Sequence, residues 1–355
     1  MIPIRSLLAV ALLGGLAPAQ EPPPVATRYT LVAPRTDGLL AVALNGRGDL
    51  TGFHMEPRDG NPDVLEEAPF FAREGLYLRL PLLATYTSTF PAGLSDTGVV
   101  VGRASKPVVP GVPTPMANQA FAWTAETGIR GLGVAPPDVS SLATGISRDG
   151  RRIAGIGVGA GGRRAVLWER DGDRWKAVVL PGGDGLESNS LVISPDGRRL
   201  AALRGGRPTL WTESDGGRWD VQTLDDGAFH FAPRGVNDGG TVVGLRNEPD
   251  GTRRAVVWAP GRGATILEPP PGFVHAEASA INNAGAVVGQ VDGPHGEAPG
   301  PRAFVFEGGR LRLLDEGGPR FSWATTVNDA GQVSGVLEEP EELPAEPALP
   351  PAGRP

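Results

Sequence analysis

One short phrase recurs seven times along this chain, and that recurrence limits the fold more than any other feature. The copies read "LNGRGDLTG" from Leu44, "LSDTGVVVG" from Leu94, "ISRDGRRIAG" from Ile146, "ISPDGRRLAA" from Ile193, "VNDGGTVVG" from Val236, "INNAGAVVG" from Ile281 and "VNDAGQVSG" from Val327. Their turn glycines are Gly48, Gly98, Gly150, Gly197, Gly240, Gly285 and Gly331, spaced 43 to 52 residues apart. Self-similarity at this period is the signature of a radial array of four-stranded sheets.

Each copy follows the same local rules. An apolar residue precedes Asn or Ser, whose short side chain can bond its own backbone and start a turn, and a Gly suited to positive φ follows. A further strand then recurs as "QAFAW", "RAVLW", "RPTLW", "RAVVW" and "RAFVF", with a degenerate first version in "APFFAREG" from Ala68. A fourth closes each unit, as in "KAVVLPGG" and "RLRLLDEGG". Two and four residues before the turn Asn or Ser stand small or compact residues, such as Ala43 with Ala41 and Gly93 with Pro91. This suits inner strands that converge on an axis, where bulk would collide. The reading is all-β, a seven-bladed β-propeller of four-stranded antiparallel blades. Arg28–Pro34, "RYTLVAP", resembles the fourth strands, so the N-terminal strand is expected to close the last blade and leave no free edge.

Composition agrees. With 52 Gly and 36 Pro in 355 residues, roughly a quarter of the chain punctuates elements, while 40% hydrophobic residues can still supply a core. Residues 1–19 combine Arg5, an apolar run from Leu7 to Leu16 and the small-x-small pattern Ala17-Pro18-Ala19, the pattern of a cleaved signal peptide. The domain plan is thus a signal peptide over 1–19, a linker over 20–27, the propeller over 28–338 and an acidic, Pro-rich tail over 339–355. Export to the periplasm or the extracellular space is expected, with no membrane span. The lack of Cys excludes disulfides, thiolate metal sites and thiol catalysis. A formal charge of −7 with scattered Arg offers no basic stripe for nucleic acid.

The pairing of "INNAGAVVG" with "RAFVF" resembles the HAF repeats of exported bacterial proteins, and "ISPDGRRLAAL" (Ile193 to Leu203) is similar to the WD40-like repeat of periplasmic propellers. The likeness covers residues 28 to 338, although the third strands carry Arg or Gln where the family has His. It implies an exported repeat protein and transfers no catalytic motif.

Several motifs have a plain structural reading. "GVGAGG" from Gly157 has dinucleotide-loop spacing but leads into the strand "RRAVLW" rather than a helix, so it is expected to be a hairpin loop. Arg47-Gly48-Asp49 spells an adhesion tripeptide, yet Gly48 is already explained as a turn residue. "DGD" from Asp171 reads as a turn. Trp123, Trp168, Trp211 and Trp258 end third strands, and Trp175 and Trp219 precede fourth strands, so all six are expected to pack between blades.

His230 and His275 both lie seven residues before a turn Asn, where Glu187 and Phe321 are equivalents, and Trp323 has no counterpart in the other copies. In a propeller such loops share one face. His230, His275, Glu187, Phe321 and Trp323 are therefore the candidate ligand-binding residues, although the same positions also suit solvated loops. No catalytic residue, metal site or cofactor is assigned. The function expected is a monomeric, non-catalytic scaffold that binds a protein, glycan or small ligand. The alternative is an extracellular hydrolase or lyase.

Overall fold

The structure is a computed structural model and describes residues 6–11, 39–58, 61–106, 117–224, 230–294, 300–314 and 321–338. Six blades of four antiparallel strands are arranged in chain order, each strand paired with the next. Blade 1 holds Leu39–Leu44, Leu50–Arg58, Asn61–Arg73 and Leu76–Arg79. Blade 2 holds Ser88–Leu94, Val100–Ser105, Asn118–Thr124 and Gly128–Gly131, and blade 3 Ser140–Ile146, Arg152–Gly159, Gly162–Asp171 and Arg174–Asp184. Blade 4 holds Leu186–Ile193, Arg199–Arg204, Arg207–Glu213 and Trp219–Thr223. Blade 5 holds Ala232–Val236, Val242–Asn247, Arg253–Ala259 and Gly263–Leu267. Blade 6 holds His275–Ile281, Val287–Asp292, Arg302–Glu307 and Arg310–Leu313.

The expectation of seven four-stranded blades is overturned here. Among the described residues six sheets have four strands, and the last repeat forms a three-stranded sheet in the order Ser6–Ala11, Val333–Glu338, Phe321–Val327. The sequence explains the shortfall: after Glu338 it turns Pro-rich and acidic, without the apolar alternation a third and fourth strand need. Its outer strand comes from the expected leader, with Ser6 opposite Glu338 and Ala11 opposite Val333. Arg28–Pro34, the linker over 20–27 and the tail over 339–355 lie outside the described residues.

All seven turn glycines adopt φ between +72° and +86°, the left-handed region that the hairpins require. A second set of glycines has a different cause. Five inner strands, and that of the three-stranded sheet, carry a register shift at one common position: between Ala41 and Ala43, Pro91 and Gly93, Ala143 and Gly145, Pro233 and Gly235, Ala278 and Ala280, and Ala324 and Thr326. Opposite each bulge the neighbouring strand has Gly52, Gly102, Gly155, Gly244, Gly289 or Gly335. A Cβ on any of them would overlap an inner-strand carbonyl oxygen, that of Leu40 or Phe90 for example. In blade 4 the shift moves to between Leu186 and Leu191, and the equivalent residue is Ala202. The glycine is thus demanded by the bulge, and it disappears where the bulge does.

The core lies between blades rather than within one centre. Leu167 and Trp211 belong to one buried cluster shared by blades 3 and 4, and Phe71 and Trp123 to another shared by blades 1 and 2. Trp168 and Trp211 are fully buried. Near the axis the sheets crowd as expected: a Cβ on Gly93 would lie 3.1 Å from Gly145 Cα, and one on Gly235 would lie 3.2 Å from Ala280 Cα.

Candidate functional site

The turn Asn and Ser residues build the mouth of the axial channel. Each accepts the backbone N–H four or five residues on, as in Asp49 N–H to Asn45 Oδ1 (2.9 Å) and Arg152 N–H to Ser147 Oγ (3.0 Å). Asn has an amide N–H to spare, and it reaches the next sheet: Asn45 Nδ2 donates to Ser95 O (2.9 Å), Asn237 to Asn282 O (3.2 Å) and Asn282 to Asn328 O (3.0 Å). Asn328 Nδ2 donates to Asn45 O (2.8 Å) and so returns to blade 1. Where Ser stands, the crossing falls to main-chain N–H groups, Asp96 to Arg148 O (2.9 Å) and Arg148 to Pro195 O (2.8 Å). Asp196 N–H donates to Asp238 Oδ1 (2.8 Å). The result is a closed hydrogen-bonded circuit through all seven turns.

Charged groups at the mouth are bound into this circuit. Arg148 reaches across the opening to Asp329 and lies 3.4 Å from Asp96 Oδ2. Burial alone would raise the Asp329 pKa, but the Asn283 N–H and the Arg148 guanidinium outweigh it and hold the carboxyl below its ordinary range. Asp238 goes the other way, raised by burial and by the neighbouring Asp196 carboxylate. Behind the mouth lies a cavity of about 270 Å³ lined by bulged residues such as Ala92, Thr144 and Ser279. Arg234 is the charged residue among those at the bulges.

A larger cavity, about 330 Å³, crosses blade 2 from blade 1 to blade 3 on the same side as the mouth. Arg73 at its edge is fixed by Asp49, through Nε to Oδ1 at 3.0 Å and Nη2 to Oδ2 at 2.8 Å. Asp49, the acid of the Arg-Gly-Asp tripeptide, is only 3% exposed and so cannot serve an external receptor. Arg130, Glu126 and Asp173 line the cavity as exposed residues with no ion pair among the described residues, and Arg170 bonds only the nearby Gly172 carbonyl (3.2 Å). Trp175 is half-buried, resting on the cluster around Trp168 and lining the cleft with its remaining surface.

The residues singled out from sequence lie on the opposite face and in separate places. Exposed His230 donates its Nδ1–H to Gly206 O at 3.0 Å, and exposed Glu187 flanks the same Gly205-Gly206 hairpin of blade 4. His275 is 4% exposed, its Nδ1 accepting the Arg253 N–H at 3.1 Å. Phe321, 39% exposed, lies against Gly300, while Trp323 is half-buried on the inner strand of the three-stranded sheet. "GVGAGG" and "DGD" fall at hairpin turns of blade 3.

A third cluster lies on one face of blade 1, where Tyr77 Oη is 2.5 Å from His54 Nδ1 and His54 Nε2 is 3.4 Å from Glu56 Oε2. Arg79 pairs with both Glu56 and Glu66. Burial and the Glu56 carboxylate push the Tyr77 pKa up to about 12, so the phenol is a donor rather than a nucleophile.

No family model and no curated protein matches this chain. Among solved structures it is similar to the β-propeller domain of the trilobed protease from Pyrococcus furiosus, at 14% identity and TM-score 0.48 over 73% of this chain and 79% of that one. It is also similar to a putative TolB from Agrobacterium tumefaciens, at 15% identity and TM-score 0.47 over 95% of this chain and 99% of that one. Virginiamycin B lyase from Staphylococcus aureus gives 10% identity and TM-score 0.47 over 84% and 95%. TolB-like propellers are thus among its structural neighbours, whereas no family model supports the HAF-repeat resemblance. At these identities and scores the likeness is one of fold and carries no activity.

Proposed function

We propose that this chain is an exported, non-catalytic binding propeller for a protein, glycan or small ligand. One observation supports this most: the acids at the axial mouth are held in the structural circuit, whereas unpaired charged groups collect around Trp175 in a cleft. Such a concavity, with an aromatic wall and a few polar groups, is the ordinary form of a ligand site. The apolar run and cleavage pattern of residues 1–19 support export, and among the described residues no helix is long and apolar enough to cross a membrane.

The alternative, an extracellular hydrolase or lyase, draws support from the Tyr77–His54–Glu56 relay, since a donor linked to an imidazole and a carboxylate can move a proton. The test pairs thermal-shift measurements with product assays on one panel of oligosaccharides, peptides and cell-wall fragments. A binder raises the melting temperature as its sites fill and releases no product. Turnover that His54→Ala abolishes would establish the enzyme instead.

A further inference from the structure

We infer that the cleft over blade 2 is a saccharide site whose ligand is an uncharged, hydroxyl-rich sugar of mono- to disaccharide size, an assignment that rests on the binding reading above. Size is the first argument: about 330 Å³ lies at the small end of the roughly 300–1,000 Å³ typical of ligand pockets.

Charge is the second. The Arg73 guanidinium is already committed to Asp49 through two hydrogen bonds. The remaining charged lining is Arg130 and Arg170 against Glu126 and Asp173, two cations and two anions. A strongly charged ligand would meet one pair favourably and the other unfavourably. A neutral ligand rich in hydroxyls can use both, because each hydroxyl donates and accepts. Guanidinium offers a planar fork of donors and carboxylate a pair of acceptors, so each can engage two neighbouring hydroxyls of one ring. These groups are exposed and hold no ion pair among the described residues, so binding breaks no internal salt bridge.

The third argument is the aromatic wall. Trp175 is braced from behind by the cluster containing Trp168, while part of its surface still lines the cleft. A braced ring presents an apolar plane at low entropic cost, which suits the C–H face of a sugar.

The test is calorimetric titration of the full chain with three neutral probes, maltose, cellobiose and diacetylchitobiose, and two charged ones, digalacturonate and a glutamate dipeptide. At least one neutral disaccharide is expected to bind with a dissociation constant between about 10 μM and 1 mM. Arg130→Ala and Asp173→Ala, both at exposed positions, should each weaken it roughly tenfold or more while the melting temperature stays unchanged. Trp175→Ala should weaken it further, and Trp175→Phe, which keeps a ring against the cluster, should restore part of the affinity.

Tighter binding of either charged probe, lost in the same variants, would overturn the ligand class and leave the binding reading standing. Neutral-sugar binding that neither Arg130→Ala nor Asp173→Ala changes would place the site elsewhere and overturn the assignment. Failure of all five probes to bind overturns it too, and product release from any of them would overturn the binding reading as well.

Discussion

At the residue scale, the turn Asn does two jobs that Ser can only share. Its carbonyl oxygen closes its own hairpin and its amide crosses to the next sheet, so its presence in four of the seven copies has a mechanical cause. Asn282 is 3% exposed, and Asn282→Ala would strand the Ala286 N–H and remove the amide that crosses to the Asn328 carbonyl. A loss of about 1–3 kcal/mol in denaturant unfolding is expected. The neighbouring carboxylates titrate in opposite senses. Asp329 is depressed on folding, so its contribution is present above the unfolded value of about 3.9 and lost as the pH falls through the folded one. Asp329→Asn should therefore lower the melting temperature near pH 7, with the difference vanishing in acid. Asp238 is raised, so its protonated form favours folding and that advantage is lost as pH climbs. Asp238→Asn should gain on the wild type with rising pH, and thermal scans from about pH 3 to 8 measure both trends.

At the scale of the element, the hairpins were legible and the bulges were not. Asn or Ser followed by Gly fixes turn chemistry locally, and the positive φ at Gly48 or Gly285 is the direct consequence. The glycine ending "VVG" has another cause: Gly102 and Gly289 answer to a carbonyl on the adjacent strand, a contact that the repeat pattern does not display. Blade 4 carried the clue, because it alone has Ala202 there and it alone shifts its bulge. Gly289→Ala should force the bulge apart and cost about 1–3 kcal/mol or more, whereas Ala202→Gly should cost less than about 1 kcal/mol. Comparable losses in the two variants would contradict this account. Trp175 was read as packing alone because periodicity places it between blades. Its second role depends on Arg130 and Glu126 of blade 2 lying beside Arg170 and Asp173 of blade 3, which no spacing in one repeat reveals.

At the scale of the whole molecule, closure depends on two separable joints. The first is the junction of Phe321–Val327 with blade 1, held by Asn328 Nδ2 to Asn45 O (2.8 Å) and Thr325 Oγ1 to Ala41 O (3.2 Å). The second, present while the leader expected over 1–19 is uncleaved, is the pairing of Ser6–Ala11 with Val333–Glu338, which covers the outer edge of the three-stranded sheet. The period predicted a ring but counted a full blade where the described residues of the last repeat form one hairpin. Removing residues 1–11, as cleavage of the expected leader also would, leaves the first joint untouched, so the propeller should keep its cooperative unfolding. It bares one edge of Val333–Glu338, and in an antiparallel ladder only alternate N–H groups point outward. Hydrogen exchange should therefore quicken at alternate amides between Val333 and Leu337, while those facing Phe321–Val327 and those of blade 1 stay protected. Uniform loss of protection through blade 1 would mean instead that the two joints are one, and that the ring depends on its first strand to stay shut.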